Sequence, residues 1–133
     1  STSGTDSDWV VKLIDVYPGE YPAAPEMGGY ELPIAMDIMR GRYRDDPANP
    51  TAIPANEVVS YRLELPQVSH SFEKGHRIMV QIQSSWFPLY DRNPQKFVPN
   101  IFNAKAEDYQ KATQRIYHSA SYPSRIDLPV VAP

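Results

Sequence analysis

Asp91-Arg92-Asn93 lies in a loop with Trp86, Phe87, Tyr90 and Phe97, and these residue types point to contact with another surface. A guanidinium in such a loop holds a carboxylate or backbone carbonyls. The rings beside it could pack on the core or a partner domain, or stack on a sugar. Packing is the favoured reading. Trp86, Phe87, Tyr90, Asp91, Arg92 and Asn93 are therefore the candidate interdomain or interface contacts, with the triplet either an intradomain ion pair and turn cap or an interdomain clamp.

The other reactive residue types converge on nothing. A Gly-x-Ser-x-Gly elbow is absent, and Ser84-Ser85 falls inside an alternating run rather than on a strand-to-helix turn. His70, His76 and His118 lack ligand spacing such as His-x-x-x-His and read as exposed or hydrogen-bonded histidines. The acid pairs Asp6/Asp8, Asp45/Asp46 and Glu107/Asp108 fall in polar loops or at a helix start, where solvation keeps carboxylates ordinary. Glycosidase chemistry needs two carboxylates facing across a cleft, and no calcium loop of the EF-hand type is present. No residue is assigned a catalytic, cofactor-binding or metal-ligating role.

The loop must be carried by what precedes it. Ile78, Val80, Ile82, Ser84 and Trp86 alternate with Met79, Gln81, Gln83, Ser85 and Phe87, a period of two that predicts a strand. The turn Glu73-Lys74-Gly75-His76 opens it and Pro88 closes it. This strand is expected to be central. Trp9 to Tyr17, WVVKLIDVY, predicts a strand buried on much of both faces, with Lys12 and Asp15 its only charges. Residues 18–29 read as a loop. Tyr30 to Tyr43 reads as a further strand ending near Arg44, and 45–57 as a surface loop. Val59, Tyr61, Leu63 and Leu65 alternate with Ser60, Arg62 and Glu64, predicting a half-exposed antiparallel strand. Ala104 to Ala112 is the one helix candidate, with Asn103 as N-cap. Residues 113–118 return to strand composition, Tyr122-Pro123 breaks it, and Ile126 to Val131 is an edge or strap.

Totals narrow the class. A chain of 133 residues suits one domain. Its 14 prolines argue for short elements and constrained loops rather than long helices. A net charge of −3 without a basic stripe speaks against nucleic acid. Zero cysteines exclude disulfides, thiolate metal sites and a cysteine nucleophile. No apolar run reaches membrane-spanning length, so no membrane partner is expected. Short strands between proline-rich turns predict an all-β sandwich or jelly roll with one short helix.

Several stretches carry a family resemblance. Gly4 to Pro18, GTDSDWVVKLIDVYP, resembles a signature segment in the C-terminal domain of X-Pro dipeptidyl-peptidase-like serine hydrolases, the group of cocaine esterase, α-amino acid ester hydrolase and glutaryl 7-ACA acylase. Arg40-Gly41-Arg42-Tyr43-Arg44 is similar to its arginine-rich segment. Gly75-His76-Arg77-Ile78, Ser84 to Pro88 and Asp91-Arg92-Asn93 are similar to its central strand and loop. Ile116-Tyr117-His118 and Tyr122 to Val130 are similar to its last strand and tail.

The resemblance covers essentially the whole chain. It implies a jelly-roll, galactose-binding-like β-sandwich over 1–133, truncated at its N-terminus and starting inside the sandwich, with exposed strand edges. It implies a bacterial parent with an α/β-hydrolase domain that holds the Ser-His-Asp triad, so nothing catalytic carries over. The implied partners are that hydrolase domain and further copies in a homo-oligomer. The implied compartment is periplasmic or secreted. On this reading the segment is a non-catalytic support that shapes the cleft of an ester- or amide-hydrolysing enzyme. A free-standing carbohydrate-binding module is the alternative, and a purely structural assembly domain the third possibility.

Overall fold

β1, Asp8–Val16, is the strand on which the others are assembled. The computed structural model describes residues 1–131. β2, Glu31–Arg40, and β3, Arg77–Gln83, pair antiparallel with β1 on either side, giving the order β2-β1-β3. A second, two-stranded sheet joins β4, His118–Ser119, to β5, Tyr122–Pro123. All regular structure outside these strands is short 3-10 turn among the described residues. The architecture is all-β, of the β-sandwich class.

The burial of β1 follows from its composition. Trp9, Val10, Leu13, Ile14 and Val16 are buried and lie on both faces, and they form the core with Ala35, Ile53, Val98 and Ile101. Fully burying each of these large side chains is worth roughly 1.5–3 kcal/mol, so the apolar run supplies the main driving force for the central position. Leu13 faces Ala35 on one side and Val80 on the other. The β1–β2 register shifts between Leu13 and Ile14, where Ala35 and then Pro33 stand opposite. Proline cannot donate to a ladder, and a bulge on an outer strand accommodates it.

Four expectations need correction. The Ile78 strand is not central. It lies at the edge of its sheet and ends at Gln83, short of Trp86 and Pro88. The opening turn at Glu73 does form: the His76 N–H donates to the Glu73 carbonyl at 3.1 Å, with Gly75 at φ +94°. Second, residues 59–65 make no ladder, although Val59, Tyr61, Leu63 and Leu65 are half-buried while Ser60, Arg62 and Glu64 are exposed. The alternation decides which side chains face inward, and Tyr61 packs on Trp9 with ring centroids 5.2 Å apart. Strand pairing requires a neighbour in register, and none stands beside this segment among the described residues. Third, Ala104 to Ala112 is not an α-helix. It holds a single 3-10 turn, Ala106–Asp108, after another at Ile101–Asn103. Fourth, Tyr122-Pro123 does not merely end a strand but pairs with His118–Ser119, while 126–131 joins no sheet.

Candidate functional site

The aromatic loop is anchored on one face of β1. Side chains alternate along a strand, so Asp8 and Lys12 share a face. Asn93 Nδ2 donates to Asp8 Oδ1 at 2.9 Å, and the Lys12 ammonium lies 5.6 Å from the Trp86 ring centroid. Trp86 stacks on Tyr90, with centroids 5.8 Å apart and planes 26° from parallel. The Tyr90 N–H closes the turn on the Trp86 carbonyl at 3.1 Å. The Asn93 side-chain oxygen then accepts from the Gln95 N–H at 2.8 Å, an Asx turn that fixes the exit of the loop.

The six candidate contacts therefore divide. Asn93 is buried and turned inward, a brace within the domain. Trp86 is half-buried beneath Lys12. Phe87, Tyr90, Asp91 and Arg92 are exposed, and Phe87 and Leu89 show 63% and 66% of their surface to solvent. Trp86 and Tyr90 face each other, an arrangement unlike the open, coplanar platform a sugar ring requires.

Beneath the loop lies a buried charge cluster that sequence reasoning placed in solvent. Asp6 and Asp8 are both buried. Arg42 Nε and Nη2 reach Asp6 Oδ2 at 2.8 and 2.7 Å, and Nη2 also donates to the Val98 carbonyl at 2.9 Å. The guanidinium carbon sits 4.6 Å from the Phe97 ring centroid. Asp8 receives only Asn93 and a distant Arg40, whose Nε is 3.9 Å from Oδ2. Burial therefore dominates and raises the Asp8 carboxyl to about 6 from an ordinary 3.8, against the lowering effects of Asn93 and Arg40.

That shift carries a sign. The fold favours the protonated form, so the Asp8 contribution to stability is present below about pH 4 and is lost as pH rises through about 6. The variant Asp8→Asn keeps an acceptor for Asn93 and removes the titration. Its urea-unfolding free energy relative to the unaltered protein is expected to improve steadily across that window. A constant difference from pH 4 to pH 7 would exclude the effect.

A second cluster joins two histidines to the buried carboxyl group of Asp15 on β1. Asp15, 1% exposed, receives His70 Nε2 on Oδ2 at 2.8 Å and His76 Nδ1 on Oδ1 at 2.9 Å. The His76 ring packs 4.3 Å from the Tyr17 ring centroid. The hydrogen-bonded reading of these two histidines holds, and their shared carboxylate was missed. The signal was available, because a lone acid in an otherwise apolar strand must find partners when it is buried. Among the described residues no group of three or more His, Cys, Asp and Glu side chains could hold a metal ion.

Comparison with known proteins identifies a family and several relatives. The sequence pattern described as the X-Pro dipeptidyl-peptidase C-terminal non-catalytic domain matches residues 1–127. Cocaine esterase from Rhodococcus sp. (strain MB1 Bresler) is 37% identical over 131 residues, which is 98% of this chain and 21% of that protein. Among solved structures, an α-amino acid ester hydrolase is 60% identical with a TM-score of 0.90, over 92% of this chain and 20% of its own. An aminopeptidase from a marine sediment archaeon, Thaumarchaeota archaeon, is 61% identical with a TM-score of 0.90 over the same shares. The chain thus spans about a fifth of the length of each relative.

Proposed function

This chain belongs to the X-Pro dipeptidyl-peptidase C-terminal non-catalytic domain family, and from that premise we propose that it packs on an α/β-hydrolase domain of a longer polypeptide and shapes the cleft in which that domain cleaves esters or amides. The relatives it matches are named for such reactions: an esterase, an amino acid ester hydrolase and an aminopeptidase. The contribution of the 133 residues is a rigid wall rather than a reacting group. The surface offered to the hydrolase domain is the loop from Trp86 to Arg92.

The observation that carries this reading is the amount of surface left uncovered. The chain exposes 9331 Å² at a mass of 15.1 kDa, whereas a folded monomer of that mass exposes about 7,100 Å². Large apolar side chains contribute to it. Phe87, Leu89 and Phe102 are more than half exposed, and Ile78, Val80 and Ile82 form an exposed row along β3. Apolar surface on this scale marks an interaction face.

The test is Phe87→Ala in the full-length hydrolase. An aromatic anchor at an interface contributes about 2 kcal/mol or more, so the expected result is a lower melting midpoint together with a reduced kcat/KM. If both stay at the unaltered values, the loop does not support the cleft.

A further inference from the structure

Arg92 is held in place without a partner for its charge. Its guanidinium carbon lies 5.4 Å from the Phe87 ring centroid and 5.9 Å from that of Tyr109. The Tyr109 hydroxyl donates to the Arg92 carbonyl at 3.4 Å, tying the second ring to the same residue. The Arg92 side chain makes no hydrogen bond or ion pair among the described residues. No acid pairs with it among the described residues. Asp108 accepts from Lys96 Nζ and from the Lys105 N–H, at 3.0 and 3.1 Å, and Asp91 and Glu107 make no ion pair.

The chemistry of such a group is specific. A guanidinium is planar, presents its N–H donors as a fork matched to a carboxylate, and keeps those donors free when its face contacts a ring. Contact with rings also restricts the side chain beforehand, which lowers the entropy lost when a partner arrives. The apolar surface of Phe87 and Leu89 beside it would exclude water from an incoming ion pair and so strengthen it.

We infer that Arg92, seated against Phe87 and Tyr109, is a hook for an Asp or Glu side chain on the catalytic part of the longer polypeptide. This rests on the proposal that the loop faces that part. It adds the chemistry of the partner group, a carboxylate presented by a surface that is otherwise apolar. The hook acts by docking and touches no substrate.

The experiment uses the full-length hydrolase carrying Arg92→Lys. Carbodiimide coupling joins an amine to a carboxylate with no spacer, and peptide mass spectrometry then reads what residue 92 was joined to. The expected product links residue 92 to an Asp or Glu outside residues 1–133 within the same molecule. Coupling only to Asp91, Glu107 or another acid of this segment would overturn the inference. So would coupling to a second copy, distinguished by mixing isotopically light and heavy protein, and so would no coupling at 92.

A charge-reversal series gives an independent reading. Arg92→Glu is expected to lower the melting midpoint further than Arg92→Gln, because it sets two carboxylates against each other. Equal shifts would mean that only packing was lost, and would also overturn the hook. The two proposals fail separately. Coupling at 92 with an unaltered kcat/KM in Phe87→Ala keeps the hook and removes the cleft-shaping role. A damaged Phe87→Ala enzyme without coupling at 92 does the reverse.

Discussion

Replacing Arg42 with alanine is expected to destabilise the fold by about 3–5 kcal/mol, the cost of stranding one member of a buried ion pair. Asp6 is fully buried, and its Oδ2 takes both contacts from the guanidinium, at 2.8 and 2.7 Å. Without Arg42 that carboxylate has no cation within reach and must either remain charged in a low dielectric or take up a proton. The Val98 carbonyl loses its 2.9 Å donor at the same time, and the Phe97 ring loses the guanidinium packed on its face. Equilibrium unfolding in urea measures the loss. The double variant Arg42→Met with Asp6→Leu separates the causes. If the penalty comes from an uncompensated charge, removing both charges recovers much of it, although the Ser7 N–H, which donates to Asp6 Oδ1 at 2.9 Å, is then left without that acceptor. A loss below 1 kcal/mol for Arg42→Ala, or no recovery in the double variant, would show that the pair contributes little.

Asp15→Ala is the second large effect, expected at about 3–4 kcal/mol, because two ring nitrogens lose their acceptor at about 1–3 kcal/mol each. One carboxylate holds two ring nitrogens, so a single substitution releases both. The His76 side chain is 2% exposed and its Nε2 is already buried without a partner. Losing Asp15 would leave both polar atoms of that ring unpaired. Asp15→Asn keeps one acceptor oxygen and presents an amide N–H₂ to the other histidine. It should retain one of the two contacts and fall between the alanine variant and the unaltered protein. An asparagine variant as damaged as the alanine one would argue that charge, rather than the hydrogen-bond geometry, dominates. An alanine variant with unchanged stability would remove the cluster from the account of the fold.

Much of the architecture was legible where the deciding residues are neighbours in sequence. The run Trp9 to Tyr17 predicts a strand buried on both faces, and β1 occupies 8–16 with that burial. Pro18-Gly19 and Gly28-Gly29 bound the next loop, and β2 begins at Glu31, next to the expected Tyr30, but ends at Arg40 rather than near Arg44, because Gly41–Tyr43 forms a 3-10 turn. The turn at Gly75 is local chemistry and reads directly. What failed depended on distant partners. Alternation in Val59 to Leu65 correctly predicts which side chains face inward, but a ladder also needs a neighbour, which no local pattern supplies. Ala104 to Ala112 is rich in helix formers, yet a helix this short is costly to nucleate. The Asp108 carboxylate instead closes a single turn on the Lys105 N–H and pairs with Lys96.

The site shows the same division. The exposure of Phe87 and Arg92 follows from their place in a loop. The burial of Asp6 and Asp8 does not, because acids in a polar stretch read as solvated until Arg42 and Asn93 arrive from far along the sequence. Tyr109, the second ring beside Arg92, was invisible for the same reason.

The position of β1 between its two partners also sets an order of events. β1 meets β2 after crossing residues 17–30, but meets β3 only after crossing 17–76. Closing the longer excursion costs about 1.3 kcal/mol more in chain entropy if both are treated as flexible loops. Pairing of β1 with β2 is therefore expected to precede the docking of β3. His76 immediately precedes β3, and His70 lies on the same returning segment. In that order the carboxylate of Asp15 would keep its hydration until both imidazoles arrive with the closing strand.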